Sequence, residues 1–121
     1  MTRASANTER AAPLRVAIRG SELAALRGNA TRACAVLKAL ANEVRLMLVC
    51  QLADGEKTVG ELQQSVGLSQ SAVSQHLALL REHKLVATRR DGQSIHYTLA
   101  SVETAAIIKT LHEQFCARRR S

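Results

Sequence analysis

Residues 58–82 read TVGELQQSVGLSQSAVSQHLALLRE, a stretch that holds two helix starts separated by one forced stop. Thr58 followed three residues later by Glu61 forms a capping box, in which each side chain satisfies a backbone amide that the first helical turn leaves without a partner. A short helix follows, with Leu62 and Val66 one turn apart and facing inward. Gly67 and Ser69 then mark a tight turn, and Ser69 can cap a second helix carrying Val73, Leu77 and Leu80 on its apolar side. Two short helices joined by a tight turn make a helix-turn-helix. The second helix has a polar face, with Gln70, Ser71, Ser74 and Gln75 clustered toward its amino end and His76 and Arg81 further along. Gln and Ser exchange hydrogen bonds with base edges and phosphates, the chemistry that reading a DNA major groove requires.

Immediately after this unit, Leu85–Arg90 and Gln93–Leu99 alternate or carry β-forming residues, and Asp91-Gly92 between them suits a two-residue type I′ turn. The pattern predicts a hairpin wing with Arg89 and Arg90 just before its tip, where guanidinium groups can grip phosphate or enter a minor groove. A hairpin directly following a helix-turn-helix places two elements in neighbouring grooves of one duplex.

Working outward toward the amino terminus, a helix fits Asn42 to Ala53, with Val44, Met47, Leu48 and Leu52 on its apolar side and Asp54-Gly55 ending it. Before it, Leu23, Leu26, Ala30, Ala33, Leu37 and Leu40 recur at spacings of three and four along one long helix, interrupted only by the weak formers Gly28 and Asn29. This stripe is expected to serve both the domain core and a subunit interface. Residues 1–20 lack sustained periodicity and read as a flexible basic arm. Toward the carboxyl terminus, Ser101 can cap a last helix with Val102, Ala105, Ile108, Leu111 and Phe115 at helical spacing, ahead of a basic tail at 118–121. The expected fold is mainly α with a β-hairpin wing, in the order α-α-α-α-β-β-α: one winged helix-turn-helix domain over residues 21–117. Its first and last helices would join two copies, so that a homodimer presents two reading heads to a roughly palindromic operator on double-stranded DNA.

Composition agrees with one small helical domain. The chain has 121 residues, 46% of them hydrophobic, with one Tyr, one Phe and no Trp, so its core must be built from Leu, Val, Ile and Ala. The formal charge of +7 is concentrated at the ends: three net positive charges precede Gly20, three are Arg118–Arg120, and one remains for the body. Net charge alone therefore does not identify a nucleic-acid binder, although the ends can add salt-sensitive attraction to phosphate. No apolar run suits a signal peptide or membrane helix, so a cytoplasmic protein without membrane association is expected. There, Cys34, Cys50 and Cys116 would be reduced, leaving burial, metal ligation or redox sensing as their roles. No nucleophile, base and oxyanion site assemble, which argues against an enzyme, and no cofactor is implied.

The segments Leu37-Lys-Ala-Leu-Ala-Asn-Glu-Val-Arg45 and Ser69-Gln-Ser-Ala-Val-Ser-Gln-His-Leu77, with the wing ending in Tyr97, resemble the ArsR/SmtB repressors over about residues 31–117. Lys84 stands where that family usually has Gly, which implies a left-handed Lys or a different cap at the end of the recognition helix. Members of the family respond to different inducers through different helices. The helix at Glu61-Leu-Gln-Gln-Ser65 lacks the paired cysteines of the thiolate-metal sensors, and the Asp-x-His pattern of the last-helix metal site is absent near Ser101-Val-Glu103. Cys50 and Cys116 resemble instead the cysteine pair of the BigR/SqrR/HlyU branch. That resemblance implies a response to reactive sulfur species or oxidants and release of DNA in the sulfur-linked form. A metal-responsive repressor using these cysteines with His112 is the alternative. Cys34 matches neither pattern, and burial is expected for it.

Overall fold

The computed structural model describes residues 12–116. In chain order its elements are α1 (Gly20–Gly28), α2 (Ala30–Leu40), α3 (Glu43–Ala53), β1 (Lys57–Thr58), α4 (Val59–Val66), α5 (Gln70–Glu82), β2 (Val86–Asp91), β3 (Ser94–Leu99) and α6 (Val102–Phe115). The chain divides into one unit ending at Ala30 and another from Thr31 onward. Residues 12–19 have no regular secondary structure and are exposed, whereas the expectations for residues 1–11 and for the tail lie outside the described residues.

The single long helix expected before Leu40 is two helices. Asn29 sits at φ −111°, ψ 11°, outside helical geometry, and its side-chain amide donates to the Ala25 carbonyl at 3.0 Å, closing α1 before α2 begins. The weak propensities of Gly28 and Asn29 prevail over the apolar spacing that runs through them. The stripe itself is also not the core face: of its six residues only Leu40 is buried, while Leu37 remains 54% exposed. α2 meets the core through Val36, Ala39 and Leu40.

The buried faces of α3 and α6 are likewise not wholly those that the apolar spacing marks. In α3 the buried residues are Leu48, Val49 and Leu52, and Met47 is exposed. In α6 they are Thr104 and Ile108, with Leu111 half-buried, whereas Val102, Ala105 and Phe115 are exposed. Helical spacing identifies apolar residues that share a side, but these helices carry more apolar surface than one chain's core covers.

The core proper is a cluster in which Leu48, Val49, Leu62, Val73, Leu77, Leu80 and Leu85 are fully buried. Its geometry depends on how the helices are joined. Asn42 accepts from the Arg45 amide at 3.0 Å and caps α3, while the Arg45 guanidinium reaches back to donate to the Ala39 and Lys38 carbonyls at 2.7 and 3.3 Å. The Asn-Glu-Val-Arg segment thus starts one helix and satisfies the carboxyl end of the preceding one. Thr58 Oγ1 accepts from the Glu61 amide at 3.2 Å and Glu61 Oε1 accepts from the Thr58 amide at 2.8 Å, completing the expected capping box. Gly67 takes φ 70° at the turn, and Ser69 Oγ accepts from the Ala72 amide at 3.2 Å to open α5.

α5 ends in a Schellman motif built on a residue that disfavours it. Lys84 is left-handed, at φ 65°, and the Lys84 and Leu85 amides donate to the Arg81 and Leu80 carbonyls, both at 2.9 Å. Leu80 and Leu85 are fully buried in the one cluster, the apolar contact that accompanies this cap.

The wing pairs antiparallel from Val86 opposite Leu99 to Asp91 opposite Ser94, so its turn residues are Gly92 and Gln93, one position later than the expected Asp91-Gly92. Gly92 has φ 64°, and Gln93 is not among the residues at positive φ, the pattern of a type II′ rather than a type I′ turn. A third strand, β1, lies on the other side of β3, with Lys57 opposite Tyr97 and Thr58 opposite His96. Two residues are too short to show alternation, so this strand has no signature in the sequence.

Candidate nucleic-acid interface and cysteine pair

α5 buries Val73, Leu77 and Leu80, which fixes what its other sides can offer. Ser71 and Gln75, one turn apart, lie at the crest opposite the buried row and are exposed. Gln70, Ser74 and Arg81 follow one flank, Ser74 half-buried and the other two exposed. His76 falls on the opposite flank with Ala72 and Leu79, all three half-buried, so it stands apart from the polar cluster. Ala78 is exposed on the crest three residues after Gln75, a small apolar surface of the kind that meets a thymine methyl. An alanine among polar residues carries no signal in sequence, and only the orientation of the helix singles it out.

The two wing arginines have different surroundings. Arg90 is exposed opposite Ile95. Arg89 donates through Nε and Nη2 to the two oxygens of Glu56, at 2.7 and 2.8 Å. This paired hydrogen bond holds the Glu56 carboxyl below its ordinary range and raises the guanidinium further. His96 Nδ1 lies 3.9 Å from Glu56 Oε1. Glu56 had no place in the sequence reading, because a carboxylate after a turn is ordinarily a solvated charge.

The three cysteines are thiols. Cys50 is half-buried against the core near the end of α3, and Cys116 is exposed at the carboxyl cap of α6, where its amide donates to the His112 carbonyl at 2.9 Å. Burial pushes the Cys50 thiol up, and the negative charge that Cys116 can carry pushes it the same way. Residues 50 and 116, far apart in the chain, are thus within range of each other's charge. Cys34 is exposed, not buried: it lies across α2 from Val36, Ala39 and Leu40, which take the whole core face of that helix. Among the described residues, no three His, Cys, Asp or Glu side chains are grouped to hold a metal ion, and His112 is exposed. Among the same residues no helix is long and apolar enough to cross a membrane.

A helix-turn-helix with a polar exposed face, followed directly by a basic hairpin that pairs with the preceding β1 in a three-stranded sheet, defines a winged helix-turn-helix DNA-binding regulator and not an enzyme. Residues 42–88 match the family model "Bacterial regulatory protein, arsR family". The transcriptional activator HlyU of Vibrio cholerae is 51% identical over 88 residues, which span 73% of this chain and 82% of that protein. Its solved structure superposes with a TM-score of 0.71, covering 73% of this chain and 96% of that one. The biofilm growth-associated repressor of Xylella fastidiosa is 45% identical over 70% of this chain and 75% of its own. The solved repressor BigR from that organism gives a TM-score of 0.71 at 42% identity, over 76% and 94% of the two chains. A homodimeric winged helix-turn-helix DNA-binding domain from Mycobacterium bovis gives 0.65 at 29% identity, over 82% and 89%. The chain belongs to the ArsR family of bacterial transcriptional regulators, in the branch that contains HlyU and BigR.

Proposed function

We propose that this regulator is a repressor that binds operator DNA as a homodimer and releases it when Cys50 and Cys116 become linked through sulfur. What supports the reading is that the half-buried Cys50 thiol on α3 lies within the electrostatic range of the exposed Cys116 thiol at the end of α6. Ser71 and Gln75 read base edges from the crest of α5, Gln70, Ser74, His76 and Arg81 meet sugar and phosphate at its sides, and Arg90 grips phosphate from the wing. The dimer reading is supported by apolar surface left open on α2 and α6, where Leu37, Val102 and Phe115 are 54%, 83% and 69% exposed. Arg32 Nη2 donates to Glu103 Oε2 at 2.8 Å, which brings the first turns of these two helices side by side. A regulator of this kind works in the cytoplasm, where thiols are kept reduced until an inducer arrives.

The inducer is a low-molecular-weight persulfide or a peroxide. The exposed Cys116 thiolate takes the outer sulfur of a persulfide, releasing the parent thiol, and Cys50 then attacks the protein sulfur of Cys116 to expel hydrogen sulfide. The two cysteines lose two electrons and the persulfide gains them. A second persulfide inserts one more sulfur, giving a trisulfide with two thiols and one hydrogen sulfide released. With peroxide, Cys116 becomes a sulfenic acid and Cys50 displaces water. Tying α3 to α6 shifts the population toward an arrangement whose reading heads no longer match the operator.

The test is fluorescence anisotropy at fixed salt with a duplex from the promoter of the protein's own gene, before and after persulfide or peroxide, with intact mass read in parallel. Binding lost together with the appearance of a Cys50–Cys116 bridge, and retained in Cys50→Ser, is the expected result. Binding that persists in the bridged protein overturns the switch.

A further inference from the structure

Adjacent residues of a strand point to opposite faces of its sheet, so Arg89 and Arg90 cannot serve one phosphate in the same way. Arg89 stands opposite His96, and His96 in turn stands opposite Thr58 of β1, so this face of the wing runs directly toward the turn that carries Glu56. Both fork nitrogens of Arg89 that face this turn are taken by the two Glu56 oxygens, and the remaining one lies 3.9 Å from the Asp91 carboxylate. Among the described residues Arg90 has no such partner.

The geometry points to Glu56 as a positioning residue for DNA binding: its carboxylate braces Arg89, fixes the wing against the turn between α3 and β1, and leaves Arg90 as the arginine that meets phosphate. A brace matters because the wing packs on the core only at its base, through Val86, Tyr97 and Leu99, and beyond the two residues of β1 it is a two-stranded ribbon, which twists readily. A bidentate guanidinium–carboxylate pair sets direction as well as distance, which a single charge contact does not. The pair also cancels its own charge, so Arg89 adds nothing to the neutralisation of DNA. This assignment rests on DNA binding and is independent of the cysteine chemistry.

The experiment is a salt series of anisotropy titrations with the full reduced chain, the same promoter duplex and an unrelated duplex. Wild-type binding in the same series shows whether DNA recognition itself stands, and circular dichroism melts show that each variant is folded. Glu56→Gln and Arg89→Gln are each expected to weaken operator binding about two- to fivefold, the range of an exposed ion pair, with the double variant no weaker than either. The slope of log K against log salt stays at the wild-type value for Arg89→Gln and falls by about 0.9 for Arg90→Gln. Arg89→Lys, which keeps the charge and loses the fork, is expected to bind as weakly as Arg89→Gln. The assignment is overturned by a slope reduced by about one unit in Arg89→Gln, by wild-type affinity in Arg89→Lys, or by equal or tighter binding in Glu56→Gln, any of which makes Arg89 a phosphate ligand or the pair idle.

Discussion

Replacing Lys84 by Gly should make the protein more stable, and the size of the gain follows from the cap that ends α5. At φ 65° Lys84 bears the clash between its Cβ and the backbone, a cost of about 1–2 kcal/mol for an L-residue in the left-handed region. Glycine removes that clash but loses about 0.4–1 kcal/mol through the greater freedom of the unfolded chain. The net expectation is a gain of about 0.5–1 kcal/mol, because both cap hydrogen bonds use backbone atoms that the substitution leaves in place. For a domain of this size that is a rise in melting temperature of about 2–8 °C. The assay is thermal unfolding of the reduced protein at one fixed concentration, since a dimer's midpoint depends on concentration. Lys84→Ala is the control, as it removes the charged side chain and keeps the Cβ. A glycine variant no more stable than the alanine variant would refute the reasoning, because the backbone strain would then contribute nothing.

Gln75→Ala should narrow the affinity gap between the promoter duplex and an unrelated one, whereas Arg90→Ala should weaken both alike; parallel anisotropy titrations separate the two outcomes. Asn42→Ala should lower stability by about 1 kcal/mol in denaturant unfolding, since it removes the acceptor that caps α3. The raised pKa of Cys50 means that its thiolate fraction near neutral pH lies below that of an ordinary cysteine. Its alkylation in reduced protein should therefore be slow there and climb only above the ordinary thiol range of about pH 9. Peptide mapping of iodoacetamide labelling across pH would show this, and rapid Cys50 labelling at pH 7 would contradict it.

Much of the fold was legible because the decisive signals were local. The Thr58–Glu61 box, the Gly67 turn and the Ser69 cap each act within four residues, and each is where the sequence places it. The left-handed Lys84 was one of two outcomes that the missing glycine implied. What could not be read was which apolar residues a single chain would cover. Leu37, Val102 and Phe115 have the spacing of core residues and are exposed, because periodicity records a side of a helix and not what lies against it. Cys34 was misjudged for the same reason. The wing turn shifted by one position because Gly92 serves as the first residue of its turn as readily as the second, and strand pairing decides between them. Glu56 was invisible because its partner lies 33 residues away and the two meet only once β2 folds back beside the turn before β1.

Thr58 belongs to two structures at once: it caps α4 and is the last residue of the strand that pairs with β3. Peeling β3 away from β1 would free the residue whose side chain and amide hold the first turn of α4, and fraying that turn would loosen the strand in return. The wing and the first helix of the helix-turn-helix should therefore open as one cooperative unit. In native-state hydrogen exchange the amides of Thr58, Glu61 and their β3 partners would share a single opening free energy, whereas a hairpin attached merely as an appendage would exchange well ahead of the helix.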